Sequence, residues 1–322
     1  RPGLKRRGKV IFDFRGLPYF MNGFPPPIGS DVCASACAST SSVEALNREC
    51  FCLAVDQKAL HAELETVMGT HGLPEALAKS HPHLFSALPF YVSRRHIEQV
   101  ARVVTAIELV TASPAYQSAV MSWAPEIANF DPGSPGGLLG LDFHLTPNGP
   151  RLIEINTNPG GVLLNALLGQ AQRNCMPELT MAPTDAEHVE EAVLEAMLTE
   201  WHLQRGPAPL AFVAIVDEAP RQQYLYPEFV LFRDLLRRHG YRAEICGPEE
   251  LVHKQNRLWL GERAVDYVYT RLTDFALQEP AHEALRAAYL AGEVMMSPHP
   301  RAHALYADKR NLSVLGDADF LQ

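Results

Sequence analysis

Apolar and polar positions alternate through two short neighbouring segments, "LLGLDFHL" (residues 138–145) and "PRLIEIN" (150–156). A period of two predicts strands, with successive side chains on opposite faces. Ile153 and Ile155 then share one face, and Glu154 and Asn156 the other. Elsewhere the period lengthens to that of a helix. In "SRRHIEQVARVVTAIELVTAS" the apolar positions are Ile97, Val100, Val103, Val104 and Ile107. Further helices are predicted from Asp56 as cap to Gly69 as stop, from near Val162 through "VLLNALLGQAQRNC", and over about residues 186–204. Ser41 and Glu44 are spaced as a capping box for one more short helix, and "CFCLAV" suits a strand.

Beyond "RGPAP" (205–209), the best candidate linker, the rhythm becomes βαβ. "LAFVAIVD" predicts a buried strand, "PEFVLFRDLLRRHG" a helix closed by Gly240, and "YRAEIC" a strand. "PEELVHK" predicts a helical turn, and "RLWLG" and "VDYVYTRL" two more strands. Strands alternating with helices define the fold class as α/β (α+β), a sheet with helices packed on it. Residues 1–40, rich in Pro, Gly, Ser and Ala, are expected to form an irregular arm, with "LKRRGK" a solvated tail.

The link "TPNGP" fixes the register of the strand pair. An Asn148–Gly149 two-residue turn, the usual short hairpin signal, would set Asp142 opposite Ile155, on the face away from Glu154. That turn needs the N–H of residue 150, and Pro150 has none. An odd-length loop, or a bulge of the same effect, is therefore expected, and either brings Asp142 and Glu154 to one face.

Composition narrows the function. The chain has 322 residues, 47% hydrophobic and 20% charged, as in ordinary globular proteins. Its net charge of -9 argues against a general nucleic-acid partner. The longest apolar runs fall far short of the roughly 18 residues a spanning helix needs, so no membrane partner is expected. With six cysteines in so long a chain and no apolar signal core, a reducing, cytoplasmic location is expected. Cys33, Cys37, Cys50 and Cys52 have C-x3-C and C-x-C spacings that fit no standard zinc pattern. His81, His83, His299 and His303 read as solvated loop residues. Neither a G-x-S-x-G elbow nor a P-loop is present.

The segment "GLDFHLTPNGPRLIEINTNPGG" resembles the magnesium-binding strands of the ATP-grasp superfamily. The resemblance implies Asp142, Glu154 and Asn156 as metal ligands, hard oxygens of the kind Mg²⁺ takes. Gly160 and Gly161 precede the predicted helix at Val162, where backbone N–H groups suit an anion such as phosphate. Residues 210–275 resemble the α/β domain that leads ordinary ATP-grasp enzymes, and "ADKRNLSVLGD" (307–317) resembles the segment that opens their nucleotide fold. Metal strands first and α/β domain second is the circularly permuted order of eukaryotic glutathione synthetases and glutathionylspermidine-synthetase-like proteins. By that resemblance Lys309 contacts nucleotide and Arg271 contacts substrate. The implied divisions are an arm and helical region at 1–84, a metal-strand segment at 85–205, an α/β domain at 206–306, and the start of a further segment at 307–322. The lysines and glycine-rich phosphate loop due after residue 317 are not reached by residue 322, so truncation is expected.

The implied activity is that of a carbon–nitrogen ligase. With ATP and Mg²⁺ it would join a small-molecule carboxylate to an amine through an acyl phosphate. The identity of both substrates and the oligomeric state stay open. Two alternatives remain: a non-catalytic binding protein on the same scaffold, and a metal-dependent enzyme built on the Cys and His residues.

Overall fold

The computed structural model describes residues 8–12, 57–70, 81, 84–85, 92–146, 148–175 and 186–320. Its centre is a four-stranded sheet, all parallel, in the order β10-β9-β4-β5. The strands are β4 (Phe212–Val216), β5 (Arg242–Cys246), β9 (Tyr267–Thr270) and β10 (Met295–Ser297). "FVAIV" and "YVYT" are buried at every position, because both faces of a parallel sheet are covered.

On one face Val213, Ile215, Tyr267, Tyr269 and Met295 meet Phe229, Phe232 and Leu236 of α6 (Tyr226–Arg238). The same core takes in α1 (Gln57–Thr70), α4 (Val162–Cys175) and α5 (Ala186–Arg205). Residues on either side of 205–209 thus belong to one hydrophobic core. The link itself is held, since Trp201 Nε1 donates to Ala208 O at 2.7 Å and Arg205 Nη1 to Gly292 O at 2.8 Å. On the other face Phe212, Ala214, Val216, Val268 and Met296 meet Leu285, Ala288 and Tyr289 of α7 (Glu283–Leu290). That side is completed by a small antiparallel sheet of β6 (Leu251–Lys254), β7 (Arg257–Leu260) and β8 (Arg263–Ala264). The expected helical turn at 248–254 is therefore corrected. Only Pro248–Glu250 turns, and Leu251–Lys254 pairs with β7 as a strand.

The second sheet is antiparallel, in the order β1-β2-β3, from Gly8–Phe12, Leu139–Thr146 and Gly149–Asn156. Strand β1 falls inside the expected irregular arm, where Gly8 to Phe12 gain ladder partners on β2. Long-range pairing of this kind leaves no local signal. Leu139, Leu141, Phe143 and Ile155 bury their face against Val100, Val104 and Ile107 of α2 (Arg94–Thr111), the expected helical stripe. Ser93 caps α2 by accepting from His96 N. A short helix, α3 (Pro114–Met121), follows it.

The register resolves the loop question. Thr146 pairs with Gly149, so two residues make the turn, at a position one residue earlier than Asn148–Gly149. The ladder then shifts between Asp142 and Phe143, where a bulge leaves Ile153 as the additional residue of β3. Asp142 consequently faces Glu154 instead of Ile153. The bulge also puts Leu152 beside Ile155 on the apolar side, the place the plain alternation assigned to Ile153.

Candidate functional site

Two polar groupings meet where the turn after β3 leans on the parallel sheet. The first lies on the β2–β3 face opposite the α2 core and holds Asp142, Glu154 and Asn156. Asn156 Nδ2 lies 3.4 Å from Glu154 Oε1, and Lys309 Nζ lies 3.2 Å from Glu154 Oε2. Hydrogen bonds from Asn156 and Lys309 hold the Glu154 carboxyl below the usual carboxylate range. All four residues named from sequence for metal and nucleotide on these segments are thus neighbours. Lys309 is brought there by a buried scaffold. Asn311, fully buried, donates from Nδ2 to Ala304 O at 2.7 Å and accepts from Trp123 Nε1 at 3.3 Å. Tyr116 of α3 donates to Leu305 O at 2.8 Å.

The second grouping sits at the carboxyl end of the parallel sheet. From β4 the chain passes through α6 to β5 on one side, and from β9 through α7 to β10 on the other, with α6 and α7 on opposite faces. The ends of β4 and β9 are therefore a topological switch point, where open α/β sheets leave a crevice for ligands. Asp217 and Glu218 follow β4, and Arg271 to Asp274 follow β9. Arg271 is buried, and its Nη1 donates to Pro159 O at 3.0 Å and Tyr269 Oη at 3.3 Å. Its Nη2 lies 3.5 Å from Asn158 O. Its fork therefore clamps the turn that follows Glu154 and Asn156. Burial pushes the Asp217 carboxyl up to about 6, against the pull of the Glu218 amide and Arg271.

Gly160 and Gly161 shape this turn. A Cβ on Gly160 would sit 2.4 Å from Leu225 Cδ1 and 3.4 Å from Arg271 Nη2, and Gly161 has φ of +87°. The first amides of α4 are already taken by a side-chain carboxyl group. Leu163 N and Leu164 N donate to the two carboxylate oxygens of Glu228 at 3.1 and 3.0 Å. Glu228 is buried, and desolvation pushes its carboxyl up while those amides and Arg271 pull it down. Glu228 was not singled out from sequence, although it is an acid on the apolar stripe of "PEFVLFRDLL". Asp217 left a similar trace, an acid closing the apolar run "LAFVAIV".

The two groupings are joined by an aromatic bridge. Thr157 Oγ1 lies 3.4 Å from His303 Nδ1, and the His303 ring stacks on Phe275 at 3.7 Å between centroids. The expectation that His299 and His303 are solvated is corrected. His299 is buried, with Nε2 2.9 Å from Ser134 O, and burial pushes the His303 imidazole down to about 4. Cys33, Cys37, Cys50, Cys52 and His83 lie outside the described residues. Among the described residues no three His, Cys, Asp or Glu are grouped to hold a metal ion. No helix among them is long and apolar enough to cross a membrane.

No family model and no curated protein matches the chain. Among solved structures it is similar to a glutathione synthetase-like effector from Globodera pallida, in the apo form. The TM-score is 0.54 at 16% identity, over 80% of this chain and 66% of that one. The chain thus spans about two thirds of that protein's length, and the shared property is the fold.

Proposed function

We infer that the protein is an ATP- and Mg²⁺-dependent ligase that joins a carboxylate to an amine. The observation that carries this is the convergence of Asp142, Glu154, Asn156 and Lys309 on one face of a glutathione synthetase-like fold. The donor set fits magnesium, with two carboxylates and a carboxamide oxygen offering hard ligands while water and phosphate oxygens complete the shell. When bound, the ion would offset phosphate charge during phosphoryl transfer. Asp142, Glu154 and Asn156 would hold it, and the β2–β3 bulge keeps the two acids on one side. Lys309, exposed and paired with Glu154, is free to turn its ammonium toward phosphate oxygens. Arg271 acts as a positioning residue by fixing the turn at Asn158 and Pro159. Catalysis on this scheme is positioning and electrostatics, and no side-chain nucleophile is needed.

One observation favours the alternative of a non-catalytic binding scaffold. The α4 amides expected to receive phosphate are taken by Glu228. ADP formation from MgATP separates the two, measured with panels of small carboxylic acids and small amines. The ligase forms ADP only when acid and amine are both present, and Glu154→Gln abolishes it. Absence of turnover together with tight MgATP binding identifies the scaffold.

A further inference from the structure

Both oxygens of the Glu154 carboxylate face N–H donors. Asn156 Nδ2 lies 3.4 Å from Oε1, and Lys309 Nζ lies 3.2 Å from Oε2. Asn156 thus turns its amide nitrogen, and not its oxygen, toward the carboxylate beside it. Donors gathered in this way suit an anion. A divalent cation needs the reverse, with carboxylate and carboxamide oxygens converging on it. The positive charge that a metal ion would bring to Glu154 is meanwhile supplied by Lys309.

The main chain at Lys309 is anchored from both sides. Arg310 donates to Trp123 O at 3.0 Å, grips the Asp308 carboxylate with Nε and Nη2, and lies over the Trp123 ring. Asn311 is fully buried, and its N donates to Asp308 O at 2.9 Å. The Lys309 side chain itself is 78% exposed. Its ammonium can therefore leave Glu154 by side-chain rotation alone, with no backbone change. A metal ion arriving by itself must break this pair and meet the displaced ammonium nearby. A phosphate-bearing ligand offers the ammonium another anion, in a charge-assisted bond.

We propose that Lys309 is an autoinhibitory cation, which closes the Asp142–Glu154–Asn156 face to free divalent metal until a phosphate-bearing ligand draws its ammonium away. This rests on the ligase reading for the identity of the metal ligands, while the lock is read from metal binding without turnover. Its consequence is coupled entry. Phosphate that takes Lys309 opens Glu154 to metal, and by reciprocity metal on Glu154 releases Lys309 to phosphate. An exposed ion pair accounts for up to about fivefold in affinity, and repulsion between an ammonium and a divalent ion adds to it.

Electron paramagnetic resonance of Mn²⁺ titrated into the protein without ATP tests the lock, with each variant checked for folding by circular dichroism. Lys309→Met is expected to bind Mn²⁺ about three- to tenfold more tightly than wild type. Lys309→Arg, which keeps the charge, should stay within about twofold of wild type. Arg151→Gln controls for charge in general, since Arg151 is an exposed cation on the same strand, opposite His144. It too should stay within about twofold, because exposed charges that are not in contact are screened by salt. The gain should vanish in Lys309→Met/Glu154→Gln. Calorimetry with MgATP should show Lys309→Met binding more weakly than wild type, so that one substitution moves the two ligands in opposite directions. Lys309→Met no tighter for Mn²⁺ than wild type, an equal gain in Arg151→Gln, or no Mn²⁺ binding by any of these proteins overturns the proposal, even if ADP is formed. If the shifts hold and no ADP is formed, the ligase reading falls and the lock stands.

Discussion

Removing the Glu228 carboxylate tests how the turn beside the candidate site is held. In Glu228→Ala, Leu163 N and Leu164 N lose acceptors at 3.1 and 3.0 Å in a site that water does not reach. A buried donor left without a partner costs about 1–3 kcal/mol, so the two together cost roughly 2–6 kcal/mol. Part of this is offset, because the folded protein no longer keeps a desolvated carboxylate, whose raised pKa reports that penalty. We expect a net loss of about 2–4 kcal/mol. Glu228→Gln keeps the shape and one carbonyl acceptor, so it should lose about half as much. Urea unfolding followed by far-UV circular dichroism gives both values, with an unchanged slope against urea showing that the transition itself is the same. An alanine variant within about 0.5 kcal/mol of wild type would show that the α4 amides find other acceptors and that Glu228 does not hold the turn.

Arg271→Lys keeps the charge but loses the fork that grips Pro159 O and Tyr269 Oη, and should cost about 2–4 kcal/mol in the same assay. Wild-type stability after the change would mean that the turn needs no clamp. Asp217, with a folded pKa raised to about 6 above its unfolded value of 3.8, contributes stability that is fully present below pH 3.8 and lost as pH rises through 6. Asp217→Asn should therefore gain about 1–2 kcal/mol over wild type at pH 7.5, allowing for a half-exposed group, and nothing at pH 3.5. A gain that does not change with pH would refute the burial cause. Lys309→Met should change stability by less than about 0.5 kcal/mol, since the Lys309 side chain is largely exposed. It should nonetheless lower the affinity for MgATP, and unaltered affinity by calorimetry would remove Lys309 from the nucleotide site.

What was legible in the chain followed local periodicity. The α2 stripe and the buried β4 and β9 runs could be read from spacing. Pro150 ruled out the Asn148–Gly149 turn, but whether a longer loop or a bulge restored the face depended on packing. Leu152 and Ile155 both reach the α2 core only because Ile153 is extruded, and "LIEI" is apolar enough to permit either choice. Strand β1 was hidden because its partners lie more than 120 residues away in sequence. The core that joins α4 and α5 to the parallel sheet was hidden for the same reason, since "RGPAP" has linker composition whatever it connects. Glu228 escaped notice because a buried polar group is recognised by its partners, and those lie 65 and 64 residues away in the chain.

The metal face is tested most directly by electron paramagnetic resonance of Mn²⁺, a spectroscopic substitute for Mg²⁺, titrated with and without ATP. The account predicts protein-bound Mn²⁺ that requires ATP and is lost in Asp142→Asn/Glu154→Gln while the fold is retained. Bound Mn²⁺ that persists undiminished in that double variant would contradict it.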